Sequence, residues 1–429
     1  MSKTAPAEGK QGSKATHMHD PGALADRQLT LDRERTKRFP DLFIRKLQRM
    51  SSSPLAYLRG AAPLFFELLQ GHPELAEGPA GEGWIVGDMH LENFGAYRPD
   101  PLGAADDASP KENAKKVRFD LNDFDDAIVG PWRLDVLRLA TSLLLGGREL
   151  GANGLVALSL CDLMLEAWAR SAFDGAPLPT ELPPPIVALT EQVRARSKTA
   201  LLDARTAVTG GKRHFVRGPR YADLPADVVA AVPEAFSAYV TALAEEDRPH
   251  KGSHDIVDCA LRIAGTGSLG GLRIAVLVKG KGGPDGGWIF DMKEQGEPSA
   301  STLLGAPKMV PADRVTTSFR ACVERPPSML GSTSIVMSTE KLSMFVRKLS
   351  PQEDKLNLRR LKGEDLPSLA TYLGALLGSA HARAATKVPK RWAAADLATI
   401  RAHAIALAGI HEAVYLDLCE RMRTLLPKT

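Results

Sequence analysis

Apolar residues recur along this chain with two different periods, and the change from one to the other divides it. Between Leu31 and Met50, Phe43, Leu47 and Met50 fall at helical spacing. Ser53 before Pro54 predicts a capped helix start, and the apolar pattern carries that helix to Leu69. Trp84 to Val86 reads as a short strand. The helical period returns from Pro131 through Leu134, Leu137, Leu139 and Leu143, and again at about 155–173, 186–204 and 226–246. Near Asp258 it gives way to short branched-apolar runs bounded by glycine: "DCALRIAG", "GLRIAVLVKG" and "GGWIFDMKE". A helix at 312–325 and two further strands, "STSIVMS" and "SMFVRKL", follow, and helices at 366–384 and 393–424 come last. The order predicts an α+β protein, with a helical unit over 30–252, a sheet unit over 253–350 and further helices over 351–429. Residues 1–29 are small and polar and read as a disordered arm. The stretch 98–116, rich in Pro, Asp, Ala and Lys, reads as an exposed excursion.

Composition narrows the class. Across 429 residues, 55 Lys and Arg face 51 Asp and Glu, a net charge of +4. That balance argues against a dedicated nucleic-acid binder, and the basic runs around Arg213, Arg217 and Arg359 lack interleaved aromatics and read as solvated. Cys161, Cys259, Cys322 and Cys419 are scattered, which argues against a metal finger or a disulfide framework. The apolar run after Pro131 is broken by Asp135 and Arg138, so a membrane span is not expected there. A cytoplasmic protein is the expectation.

The chemistry concentrates in "VGDMHLENFG" (86–95) and "FDLNDFDDAIVGPWRLDVLRLA" (119–140), where apolar stubs end in acidic residues. Such groups suit Mg²⁺, which takes oxygen ligands from one or two carboxylates together with phosphates and water. Asp88 with Asn93 five residues on has the spacing by which a kinase catalytic loop positions a base and a metal-ligating amide. Downstream, "AGTGSLGGLRIAVLV" places Gly265, Thr266, Gly267, Ser268 and Gly270 between two strands, where glycine lets backbone N–H groups approach phosphates. Lys293 falls on the next strand. Taken alone, either feature is compatible with a plain hairpin and a surface lysine.

"GDMHLENF" resembles the catalytic loop of the aminoglycoside and choline phosphotransferases, and "NDFDDAIVGPWRLDV" is similar to the segment that follows it there. The resemblance implies Asp88 as catalytic base, Asn93 and Asp123 as metal ligands, Asp135 as a buried brace and His90 as a structural loop histidine. Asp120 competes with Asp123 for the metal role, and Asp125 stands where those enzymes commonly have glycine. The implied cofactors are ATP and Mg²⁺, with Lys293 on the α and β phosphates. Glu324 is the candidate partner of Lys293, with Asp313 behind it. "KLSP" (348–351) sits where an interlobe hinge belongs, and the helix at 372–384 resembles the one that ordinarily leads into the catalytic loop. All parts are present with the catalytic loop moved to the front, so the expected fold is a circularly permuted, protein-kinase-like pair of lobes. Its small lobe is an antiparallel sheet and its large lobe mostly helical.

From about residue 35 the chain also resembles a bacterial family, domain of unknown function 2252, through "SPLAYLRGAA", "GDMHLENFG", "GTGSLGGLR", "DMKE" and "HARA". Arg59 in the first of these is either a helix-surface cation or a substrate contact. Three rival functions stay open: nucleotidyl transfer on the same scaffold, a metal-dependent phosphoesterase, and a non-catalytic nucleotide-binding module. The phosphoesterase lacks the "GDxxD" and "GNH" clusters that it needs. The acceptor, small molecule or protein, is not readable, and the helices over 155–246 are expected to shape its cleft.

Overall fold

The computed structural model describes residues 20–99, 117–147, 149–248, 250–337 and 340–425. Most of the expected arm (1–19), most of the excursion (100–116) and Ser338 therefore lie outside the described residues. The first helix starts earlier than the sequence suggested. Helix α1 (Pro21–Arg35) begins with Asp20 accepting from the Gly22 N–H, and it buries Ala25, Gln28, Leu29 and Asp32. A turn separates it from α2 (Leu42–Met50).

Ser53 does cap α3 (Pro54–Gly60), its hydroxyl accepting from the Ala56 N–H at 3.1 Å. The helix expected to reach Leu69 is two helices, because Pro63 lacks the N–H needed to continue and instead opens α4 (Ala62–Gly71). These four helices pack with the C-terminal helix through Leu47, Met50, Tyr57 and Leu64 against Val414 and Leu418.

Two small antiparallel sheets carry the acidic segments. In the first, β1 (Glu82–Ile85) lies between β4 (Ile128–Pro131) and β14 (Ala385–Lys387). In the second, β2 (Phe94–Tyr97) lies between β3 (Arg118–Leu121) and β13 (Glu353–Lys355). Ile85 pairs with Ile128 and Phe94 with Leu121, so the connections 86–93 and 122–127 leave the sheets side by side. They touch at Gly87, whose φ of +80° and closeness to the Asp126 carbonyl (2.1 Å from a notional Cβ) admit only glycine. Beneath them pack α5 (Trp132–Gly146), α6 (Gly154–Asp174), α7 (Pro184–Arg194), α10 (Leu366–Arg383) and α11 (Ala394–Leu425), around a core holding Trp132, Trp168 and Phe94.

The third unit is a six-stranded antiparallel sheet in the order β11-β12-β10-β9-β8-β7. Its strands are β7 (Tyr221–Ala222), β8 (Ile256–Arg262), β9 (Arg273–Val278), β10 (Trp288–Gln295), β11 (Gly331–Val336) and β12 (Lys341–Leu349). Strand alternation gives it two unlike faces. Ile274, Val276, Phe290, Met292 and Val346 pack under α8 (Ala226–Ala242). The other face is apolar at one end, where Leu277, Ile289 and Leu349 meet Phe215 of the hairpin β5 (Thr206–Thr209) and β6 (Lys212–Phe215). At the other end it is ionic, with Arg273, Asp291, Lys293 and Arg347 turned toward the helical unit. The expectation that the helices to residue 246 belong beside an acceptor cleft is therefore corrected: α8 sits on the far face of the sheet. Helix α9 (Pro311–Cys322) wedges between sheet and helical unit, and its Phe319 ring lies 4.6 Å from that of Phe124.

Candidate functional site

Where the sheet's ionic end faces the two acidic connections, a cavity of about 330 Å³ opens. Asp88, His90, Asn93, Asp123, Gly265, Thr266, Gly267, Ser268, Lys293 and Arg59 all line it, drawn from distant segments of the chain. A second cavity of about 240 Å³ adjoins it and shares Asp123, Gly265, Ser268 and Lys293.

Asp88 lies at the end of β1, where Asp135 fixes the backbone. The fully buried Asp135 carboxylate accepts from the Val86 and Gly87 N–H groups at 2.6 and 2.9 Å. His381 Nε2 donates to the same carboxylate at 3.2 Å, and its Nδ1 accepts from the Trp168 indole, which sets the tautomer. The Asp88 side chain is gripped at Oδ1 by Arg138, whose guanidinium is fully buried and also donates to the Leu58 carbonyl. Burial drives the Asp88 carboxyl up to about 7; Arg138 pulls it back, while Asp126 and Asp123 add to the rise. Burial, with Arg59 and Lys355 nearby, holds His90 well below its ordinary value, so the ring is neutral. Its Nδ1 accepts from the Glu92 N–H, leaving it a loop-shaping role.

Asn93 donates from Nδ2 to the Asp88 carbonyl at 2.7 Å. Its Oδ1 is buried without any partner. An orphaned amide oxygen costs free energy unless a cation or donor arrives, so it fits a metal-ligand position. Asp123 supplies the charge. Burial works to raise its carboxyl, but Lys293, Lys355, Arg347 and Arg273 outweigh it and keep it ionised. Among the described residues no three His, Cys, Asp or Glu side chains converge to hold a metal by themselves. Such a site therefore needs ligand oxygens to complete it, as Mg²⁺ ordinarily does. Asp120 faces elsewhere: it caps the Leu121 N–H outside both cavities.

Lys293 pairs with Asp125 and not with Glu324. Helix α9 ends at Cys322, so Glu324 lies beyond it, exposed, and meets Arg118 at 2.9 Å. Asp313 accepts from the Ser332 hydroxyl and lines neither cavity. The residue of α9 that does reach the site is Arg314, buried and donating to the carbonyls of Asp125, Ala127 and Gly296. Burial lowers Lys293 to about 8, against the opposing pull of Asp123.

The glycine loop is held from above. Lys46 donates to the Gly267 carbonyl at 3.2 Å and Arg49 to that of Gly265. A Cβ at Gly267 would stand 2.9 Å from the Arg59 carbonyl, so the loop comes close only because that side chain is absent. Arg59 itself pairs with Glu92 at 2.7 Å. Arg213 and Arg217 lie away from the cavity, paired with Asp203, Asp285, Asp223 and Asp258.

The model of a family described as "Uncharacterized protein conserved in bacteria (DUF2252)" matches residues 38–420. The chain belongs to that family. No curated protein and no solved structure matched. The DUF2252 match takes in both acidic connections, the glycine loop and Lys293, and leaves α1 outside. Sequence reasoning missed Arg138, Lys46, Arg314 and His381. For Arg138 a signal was present: it follows Asp135 by one helical turn, so both face the same way. No helix among the described residues is long and apolar enough to cross a membrane.

Proposed function

We propose that this DUF2252 protein is an ATP- and Mg²⁺-dependent phosphotransferase built as a circularly permuted, protein-kinase-like pair of lobes. The observation that carries the reading is the convergence of Asp88, Asn93, Asp123, Lys293 and the glycine loop on one cavity. The antiparallel sheet with α9 matches the small-lobe plan. Residues 348–351 lead from β12 directly to β13 in the helical unit, as a hinge does. The end of α10 abuts β1, the Ala384 carbonyl accepting from the Trp84 N–H at 3.1 Å. A chain joined there would run straight into the Asp88 loop, which is what a permutation predicts.

In this reading the glycine loop and Lys293 orient the donor's phosphates, and Asn93 and Asp123 would hold Mg²⁺, which when bound neutralises phosphate charge. Arg138 occupies Oδ1 of Asp88, leaving Oδ2 beside Gly267 to accept a proton. The acceptor's O–H gives that proton to Asp88. Its oxygen bonds to the γ phosphorus, and the β–γ bridging bond breaks with its electron pair leaving on ADP. MgATP should raise the unfolding midpoint of the full chain, since a ligand that binds only the folded state stabilises it. Lys293→Met should remove that rise; no rise in the wild-type chain would sink the nucleotide reading.

A second donor has one observation in its favour. Asp291 stands on the same face two residues before Lys293, where the kinase Val-Ala-Ile-Lys pattern has alanine. With Arg262, Arg273 and Arg347 it makes the roof of the second cavity ionic. Such a roof suits a donor charged along its whole length. Inorganic triphosphate with Mg²⁺ outperforming MgATP in the same melt would favour it.

A further inference from the structure

One end of the cavity is built by α1, α2 and α3, where the sequence offered only Arg59 of α3 as a candidate contact. Gln28 and Asp32 come from α1, Lys46 from α2 and Arg59 from α3, and all four line the cavity that contains Asp88. We infer that this subsite takes a small, uncharged, hydroxyl-rich molecule; the inference rests on the phosphotransfer reading for what happens to that molecule.

Three observations carry it. The subsite is narrowed on one side, where Lys46 and Arg49 tie α2 to the glycine loop. The charges of Asp32, Lys46 and Arg59 are spent in ion pairs. Lys46 meets Asp32 at 3.0 Å with side chains only 3% and 1% exposed, and Arg59 meets Glu92 at 2.7 Å. A charged acceptor would have to break one of these pairs or go without a counter-ion, which is costly in a buried site.

What is left over is hydrogen-bonding capacity of both kinds. Gln28, wholly buried, turns its Nε2 to the Asp32 carboxylate one helical turn on and leaves its amide oxygen without a donor, while Nε of Arg59 has no acceptor. Buried polar atoms are normally satisfied, so this mixed set asks for a partner that both donates and accepts. An ammonium only donates and a carboxylate only accepts; a hydroxyl does both. One hydroxyl of the bound molecule gives its proton to Asp88 as its oxygen takes the γ-phosphoryl of ATP and ADP departs. The others meet Gln28 and Arg59.

The test is a melting series on the full chain with glycerol, D-glucose and myo-inositol, against glucosamine, gluconate and a serine peptide, each with and without MgATP. Polyols stabilise proteins generally, so each is repeated on Gln28→Met, of similar volume, and on Arg59→Lys, which keeps the pair with Glu92. At least one neutral polyol should bind the wild-type chain and accelerate ADP release. Both variants should bind it about tenfold more weakly, the worth of one lost hydrogen bond, while the MgATP shift stays. The inference is overturned if no neutral polyol gives an increment that the variants lose, or if a charged compound or the peptide accepts phosphate instead. A polyol increment without any MgATP shift would keep the subsite and reject the phosphotransfer reading, so the two failures are separable.

Discussion

Asp88 on the helical unit, lining the cavity, and Asp291 on the sheet, wholly buried, are both held by arginine, yet their surroundings drive them in opposite directions. Asp291 faces three guanidiniums, Arg262, Arg273 and Arg347, with Arg273 bound through both carboxylate oxygens. Burial alone would raise it, but the cations overwhelm burial and hold it far below the usual carboxylate range. Asp88 has a single arginine and two acidic neighbours, Asp126 and Asp123, and burial takes it up to about 7. Contact with arginine is therefore no guide by itself to what a carboxylate does. The ratio of cations to anions around it decides. Asp291 is a permanent brace, whereas Asp88 is poised to take up and release a proton, the condition for a general base near neutral pH.

Removing the brace should have the largest effect. Asp291→Ala leaves the half-buried Arg262 and Arg273 without their counter-ion, while Arg347 keeps Glu353 at 2.9 Å, and it should lower unfolding stability by about 3–5 kcal/mol, read from urea denaturation. A midpoint equal to wild type would erase the contrast. Asp88→Asn should instead leave the chain folded and reduce phosphoryl transfer about 10²–10⁴-fold, the usual worth of a general base. Turnover that survives it undiminished would break the assignment.

The third effect is on pH dependence without metal, in a chelator. Asp88 at about 7 and Asp120 at about 6 both bind protons more tightly folded than unfolded. The native state then holds the extra protons, so stability is full below the unfolded value of about 4 and is lost as pH rises through about 6–7. The urea midpoint should fall over that window, and Asp88→Asn should flatten the fall. Because the neutral His90 works in the opposite sense over the same window, the readout is the difference between the two proteins, and parallel profiles for wild type and Asp88→Asn contradict the Asp88 environment. Smallest of all, Glu324→Gln should change stability by less than about 0.5 kcal/mol and leave MgATP binding intact, because its pair with Arg118 is exposed.

The sheet strands were legible because alternation against an apolar face is a local signal: Phe290 and Met292 on one side, Asp291 and Lys293 on the other. The acidic loops were legible through spacing. What could not be read were partners supplied from a distance. Asp135 and Arg138, which by their charge exclude a membrane helix, both turn out to be wholly buried beneath the Asp88 loop. A helical period tells which residues share a face but not what faces them. Small-lobe precedent puts the partner of Lys293 on a helix, whereas it is Asp125, two residues from the metal-ligand candidate. Helix α1 reaches into the stretch that reads as an arm because it is polar along most of its surface, and its buried Gln28 and Asp32 carry no apolar signature.

Strand β1, which delivers Asp88, is flanked on one side by residues 128–131 and on the other by residues 385–387. Asp135 beneath it waits for His381, 246 residues further along. A nascent chain emerging from the ribosome thus exposes its acidic loops and the apolar edge of β1 long before the segments that cover them exist. Contacts of such sequence separation form slowly, and unpaired strands invite association meanwhile. The six-stranded sheet, whose strands lie almost wholly within residues 256–349, has no such delay. It can fold as a unit during synthesis and stand as the template on which the helical half closes.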